Sequence, residues 1–249
     1  MMKTTLQKIT DMNEGLYEKM TDSLRQSWDI HIKAFGPVLE TAFSQDEPSR
    51  IQLIGALNHI SKCNIQRGME ILKSVRERCA CNEDLIAWTF CVGLCFDMSG
   101  AKQQMITWYD KVNAMGHTFY LPYLKVAKAA HEQGDFKKAE PNYRMAISCL
   151  TDEADSKSQT ILASAYTNLV SCLTMLHRYQ EAEEIWNTKI SILPGQPGSA
   201  ATAAILYAAM GNKEMVAHYI EVLKRDFPAW VNQTEAMTDA ILRGEHPAF

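Results

Sequence analysis

The sequence lacks any long apolar run and any secretory leader. No stretch approaches the roughly 20 consecutive apolar residues that a bilayer-spanning helix needs. The first segment, MMKTTLQKITDMNEG, has one early lysine but no continuous apolar region behind it, unlike a signal peptide. Both absences predict a cytoplasmic protein with no membrane partner.

The chain also lacks an excess of basic charge and a cysteine framework. It has 25 Lys and Arg against 29 Asp and Glu, a net charge of −4. A helical repeat that reads RNA needs a basic face to neutralise phosphates, so we expect no nucleic-acid partner. Seven cysteines are an odd number without framework spacing. They predict free thiols in a reducing compartment.

Catalytic signatures are absent as well. The sequence has no glycine-rich phosphate loop, no HExxH and no GxSxG, so we expect no enzyme, no catalytic residue and no cofactor. Cys79, Cys81, Cys91 and Cys95 are four thiols close enough in sequence to consider zinc. Their spacing is not that of a zinc ribbon, and Cys95 is expected to pack between helices as a small apolar residue. We therefore predict no metal.

What the sequence does have is a repeat. Gly100 and Gly134 lie 34 positions apart, and so do Pro194 and Pro228. A period near 34 is typical of helix-turn-helix pairs, which cannot bury their apolar faces alone and stack on their neighbours. The period predicts an all-α chain.

Four units align when the glycine that ends the first helix is numbered position 15. They start at Ile86, Tyr120, Ala163 and Pro197, and a more degenerate unit starts at Ser49. Glycine at position 15 permits a left-handed helix cap, and Asp135 then caps the following helix. Positions 8 and 20 carry small residues where the two helices of a pair are expected to cross: Gly93, Ala127 and Ala204 at position 8, and Ala139 and Ala182 at position 20.

These residues resemble the tetratricopeptide repeat family. The stretches EQGDFKKAEPNYRMAI and LHRYQEAEEIWNTKISILP are close to its consensus, and the resemblance weakens toward residues 49–82. It implies a right-handed α-solenoid of four to five stacked antiparallel helix pairs. The solenoid is expected over 46–228, with an N-terminal cap or degenerate repeat over 1–45 and a C-terminal capping helix and tail over 229–249.

Several local features refine this expectation. A helical stripe of Leu16, Met20, Leu24 and Trp28 marks the N-terminal segment, and Gly36-Pro37 is expected to break it. The insert over 151–159 predicts a surface loop or a longer second helix, and Pro141 predicts a kink. Trp230, Met237 and Ile241 form a stripe on the expected capping helix, which Gly244 ends.

The resemblance also suggests a binding surface, because positions 2, 5, 6, 9 and 12 of each first helix line the concave face in that family. The Ile86 unit places Ala87, Phe90, Cys91, Leu94 and Asp97 at these positions. An amide can bond both groups of a peptide unit, and two lysines can hold a carboxylate, so the expected ligand carries acidic groups. From the next two units we select the candidate groove residues Lys125, Lys128, His131, Ser164, Thr167, Asn168 and Ser171.

The carboxylate clamp of some family members is incomplete here. Asn168 occupies its middle asparagine, but Gly198 and Thr202 stand where lysine and arginine are required. We therefore expect a non-enzymatic scaffold that binds a protein or peptide. The alternative is a regulatory sensor domain that responds to a signalling peptide or partner protein. A homo-oligomer formed through the N-terminal helices is left open.

Overall fold

A computed structural model describes residues 36, 38–39, 41–150, 156–190 and 197–245. Over these residues the chain is helical and contains no strand. The helices are α1 Glu47–Ser61, α2 Ile65–Val75, α3 Asn82–Met98, α4 Lys102–Ala114, α5 Leu121–Glu132, α6 Phe136–Leu150, α7 Ser156–Met175, α8 Tyr179–Ile185, α9 Pro197–Ala209, α10 Lys213–Asp226 and α11 Val231–Leu242. A π-helical turn, Trp186–Ile190, continues α8, and 3-10 turns occupy Arg76–Arg78 and Pro228–Trp230.

The same helix cap recurs at position 15 of all five units. Its residues have φ of 57° at Cys63, 73° at Gly100, 75° at Gly134, 59° at His177 and 74° at Gly211. In each unit the next residue donates its backbone N–H to the carbonyl five residues earlier, at 2.9 Å. This is the Schellman arrangement of a helix C-terminus. The left-handed caps predicted at the three glycines are confirmed, whereas those at Cys63 and His177 were not predicted.

Every second helix begins at position 17, two residues after that cap. The starting residues are Ile65, Lys102, Phe136, Tyr179 and Lys213. The side chain of Asp135 accepts the backbone N–H of Lys138 at 3.1 Å, which confirms its predicted role as an N-cap.

Small residues bring the paired helices close together. A Cβ added to Gly68 on α2 would lie 2.7 Å from Ile60 Cγ1 and 3.4 Å from the carbonyl of Ala56. Position 20 therefore faces position 8 in the first pair, as predicted. In the second pair a Cβ on Gly93 would lie 2.6 Å from the ring of Tyr109, so position 8 there faces position 24.

The contacts divide the chain into two compact units, 1–126 and 127–249, with the boundary inside α5. In the first unit α1 packs on α2 and α3, and α3 packs on α2 and α4. In the second, α7 packs on α6, α8 and α9, and α9 packs on α8, α10 and α11. The helices are thus packed in neighbouring pairs, while the right-handed superhelix and the predicted domain limits stay predictions.

The predicted break at Gly36-Pro37 stays a prediction: Gly36, Val38, Leu39 and Thr41 are helical, but the run before Gly36 lies outside the described residues. The prediction for the insert is wrong for its described residues. Residues 156–159 form the first turn of α7, which is the first helix of its pair, and not a loop or an extension of the second helix before it. The stripe from Leu16 to Trp28 and residues 151–155 lie outside the described residues. Helix α6 runs through Pro141, and the kink there stays a prediction.

The predicted C-terminal helix is present, but it buries a different face. Helix α11 packs on α9 and α10 and ends before Gly244, whose φ is 81°. Its buried residues are Val231, Thr234 and Thr238, whereas Trp230 is 42% exposed. The threonine hydroxyls donate to carbonyls one turn earlier, so they can be buried without losing a hydrogen bond. None of the described helices is long and apolar enough to cross a bilayer.

Candidate functional site

The first helices of the second unit carry six of the seven candidate groove residues. Lys128 is exposed on α5, and His131 follows one turn later, half-buried. On α7, Ser164, Asn168 and Ser171 are half-buried. Thr167 points inward instead: it is buried, and its hydroxyl contacts the carbonyl of Ala163 at 2.9 Å and the hydroxyl of Ser199 at 3.1 Å.

His131 joins the end of α5 to α7. Its Nε2 lies 3.4 Å from the hydroxyl of Ser171, and its Nδ1 lies 3.4 Å from the sulfur of Cys172. The rings of Phe136 and Tyr143 meet the imidazole edge-to-face. Burial lowers the pKa of His131 below its ordinary value, because a charged imidazole is poorly solvated there. The structure thus brings together two of the residues that the sequence assigned to the groove.

The neighbouring thiol and imidazole do not make a nucleophilic pair. A catalytic cysteine needs a thiolate, which positive surroundings favour and apolar burial disfavours. Cys172 is fully buried, and that burial raises its pKa to about 12. The contact between Cys172 and His131 is therefore a packing contact between α5 and α7.

Lys125, the seventh candidate, belongs to the first unit and is not a free solvated cation. Its Nζ lies 2.9 Å from a carboxylate oxygen of Asp97, and the two side chains are 28% and 15% exposed. The hydroxyl of Tyr109 reaches the same carboxylate at 3.5 Å. The ammonium group of this groove candidate is therefore already paired with Asp97 on α3.

The groove positions of α3 are closed. Ala87, Phe90 and Cys91 are fully buried, and Leu94 is almost so. The ring of Phe90 packs between other aromatic side chains in the core. The prediction that these four residues line an open surface is wrong, because their side chains pack into the apolar core.

The cysteines behave as isolated thiols, and all seven are free. Cys91 and Cys95 are fully buried, as predicted for Cys95, and burial raises the pKa of Cys95 to about 12. Cys79 lies near the carbonyls of Val75 and Asp84. Across the described ranges, no three His, Cys, Asp or Glu side chains converge on a point where a metal would bind. The absence of a metal stays a prediction.

Sequence reasoning missed a buried carboxylate in the described part of the first unit. Asp84 is 4% exposed and accepts backbone N–H groups from Phe43 at 2.6 Å, Ala80 at 3.0 Å and Cys81 at 3.3 Å. It caps the start of α3 and also fixes the chain before α1. The acidic residue in the first turn of a predicted helix was the available signal, but its contact with Phe43 spans 41 residues.

A ring of charges joins the second helices of the second unit. Arg144 on α6 bonds to Glu140 and to Glu181, which lies on α8. Arg178 closes the ring, with its Nε 2.8 Å from Glu181 and a terminal nitrogen 3.4 Å from Glu140. Such partly exposed pairs contribute little each, and the ring links α6 to α8.

Comparison of the sequence with models of known protein families found no match. A search of curated proteins also found no similar sequence.

Proposed function

We propose that this chain is a non-enzymatic cytoplasmic scaffold resembling tetratricopeptide-repeat proteins, and that it binds a protein or an extended peptide. The observation that carries the proposal is the repeated frame. Five helix pairs in succession place the same left-handed cap at position 15 and start the second helix at position 17. Stacked helix pairs of this kind present extended surfaces that suit a polypeptide ligand.

The candidate surface is the first-helix face of the second unit. It offers an ammonium group at Lys128, an imidazole at His131, a hydroxyl at Ser171 and an amide at Asn168. The amide can accept and donate bonds to a peptide backbone, and the cation can pair with an acidic side chain. The contact between His131 and Ser171 supports treating α5 and α7 as neighbouring walls of one surface.

The test begins with a partner captured from native lysate and mapped to a peptide. That peptide is then titrated against Lys128→Ala and Asn168→Ala in the full chain. We expect each change to weaken binding about three- to tenfold, since each removes one polar contact. The loss at Lys128 should shrink as salt rises.

Lys189→Ala and Gln180→Ala serve as matched controls, because they remove the same groups from exposed positions of the second-helix layer. Circular dichroism confirms that all four variants are folded. Unchanged affinity in the first two variants, or equal losses in the controls, would place the binding site elsewhere.

A further inference from the structure

The second unit has a cleft between α10 and α11, and none of its lining residues lies on a first helix. Its volume is about 520 Å³. The apolar side chains of Val216, Ile220 and Leu242 line it, and the first two are less than a tenth exposed. The cleft is within the size range of natural ligand sites.

The border of the cleft carries more acidic than basic side chains. Glu221, Glu235 and Asp239 contribute three carboxylates, against the ammonium groups of Lys213 and Lys224. Lys224 bridges two of the acids, with its Nζ 2.9 Å from Glu221 and 3.5 Å from Glu235. A cation on an aliphatic stem is therefore already accommodated between the two helices.

Asp239 is left facing outward. It lies one turn after Glu235 on α11 and is exposed, and its side chain forms no hydrogen bond or ion pair with another described residue. Arg243 follows one turn later; its guanidinium is bonded to Glu245 and also interacts electrostatically with Asp239, without a hydrogen bond between the two side chains. Lys213 is too far along α10 to neutralise Asp239. Lys224 is paired with Glu235, and Lys213 lies 11 residues before Lys224, about 16 Å along α10. Asp239 lies only about 6 Å along α11 from Glu235.

We infer that this cleft docks a basic segment of a partner protein by taking up one of its arginine side chains. The methylene stem of the arginine would lie on Val216, Ile220 and Leu242, since long basic side chains bury their stems and keep their charge in water. Its planar guanidinium would bridge the carboxylates of Glu235 and Asp239, whose spacing of one turn suits a group with five donors.

This site goes beyond the proposed first-helix surface and has the opposite preference for charge. An acidic segment binds at Lys128, and a basic segment binds at Asp239. The two surfaces together would let one chain hold two partners.

The probe is the peptide acetyl-ALRALLRALA-amide, titrated into the full chain labelled at its isoleucine and leucine methyl groups. The Ile220 and Leu242 methyl resonances, assigned from single substitutions, report on the cleft. We expect both resonances to shift saturably with this peptide. The same peptide with both arginines replaced by glutamate should shift them at least about fivefold less at equal concentration, because its charges repel the acidic border.

Asp239→Lys reverses the charge that carries the inference. We expect it to weaken the arginine peptide about tenfold and to strengthen the glutamate peptide. Glu184→Lys makes the same charge change at an exposed position of α8 and should leave both affinities within about twofold. Asp239→Asn replaces Asp239→Lys if circular dichroism shows that the reversal unfolds the chain, with an expected loss of about threefold.

Three outcomes overturn the inference. They are the absence of saturable shifts at Ile220 and Leu242, an equal response to the glutamate peptide, and equal losses in the Asp239 and Glu184 variants. The last would assign binding to overall charge instead of this cleft.

Discussion

Replacing Cys63 with glycine tests the repeat frame at a position where a residue with a Cβ holds the left-handed conformation. Cys63 has φ of 57°, and its backbone N–H bonds to the carbonyl of Ile60 at 2.9 Å. The side chain is exposed, so the substitution removes no buried sulfur. The change therefore isolates the cost of holding a residue with a Cβ in the left-handed region.

The expected gain is the difference between two backbone effects. An L-residue in the left-handed conformation costs about 1–2 kcal/mol, because its Cβ crowds the following carbonyl oxygen. Glycine avoids that cost but loses about 0.5–1 kcal/mol more conformational entropy on folding. Cys63→Gly should therefore raise the free energy of unfolding by about 0.5–1 kcal/mol. In a chain of 249 residues this corresponds to a rise in Tm of about 1–4 °C.

The assay is chemical and thermal unfolding followed by circular dichroism under reducing conditions. Cys63→Ala is the matched control, because it removes the sulfur and keeps the Cβ, and its stability should match that of the parent. Gly134→Ala is the reverse experiment. Nothing lies within 4 Å of a Cβ placed there, so its expected loss of about 0.5–1 kcal/mol comes from the backbone alone. A lower Tm for Cys63→Gly, or an equal rise for Cys63→Ala, would refute the reasoning.

Three further predictions test the core and its protonation. Gly93→Ala should lower the free energy of unfolding by about 1–3 kcal/mol, because the new Cβ would overlap the ring of Tyr109, whereas Gly55→Ala has open space and should raise it by about 0.5–1 kcal/mol. In urea unfolding, Asp84→Ala should lower the free energy of unfolding by about 3 kcal/mol. Asp84→Asn should lower it less, since the amide oxygen can still accept backbone N–H groups. Equal losses in the two variants would contradict the capping role of Asp84. Burial lowers the pKa of His117 to about 4, against about 6.5 in the unfolded chain. As the pH falls, the unfolded state therefore binds the proton first. The free energy of unfolding should fall by up to about 2 kcal/mol between pH 6.5 and 4, because the folded state disfavours the charged imidazole. The His117→Gln variant should not show this loss over the same range.

The ends of the first helices could be predicted from the sequence wherever a glycine indicates a left-handed cap. Gly100, Gly134 and Gly211 identified the ends of three first helices, and the second helices begin two residues later. Cys63 and His177 adopt the same conformation without that signal. At His177 a hydrogen bond between the ring Nδ1 and the hydroxyl of Tyr179, at 2.7 Å, accompanies the left-handed backbone. Residue identity alone does not predict such positions.

The candidate surface was harder to predict from the sequence, because the exposure of a side chain depends on what packs against it. Position 6 of the repeat is buried at Cys91, ion-paired at Lys125 and half-buried at Asn168. The same register therefore gives three environments. Chain positions far apart in sequence, such as Asp97 and Lys125, decide which candidates remain accessible to a ligand.

The backbone conformation at position 15 is the same in all five units, although the residue there varies. The repeat is therefore clearer in the structure than in the sequence. Position 15 is cysteine, glycine or histidine, yet its φ stays between 57° and 75° in all five units. The hydrogen bond from the backbone N–H of the next residue to the carbonyl five residues earlier is also 2.9 Å in every unit. The hydrogen-bonded cap sets where each second helix starts, and glycine only lowers the cost of forming it. Side chains on the first helices are then free to vary without changing the position of the cap, and the polar row from Lys128 to Asn168 uses that freedom.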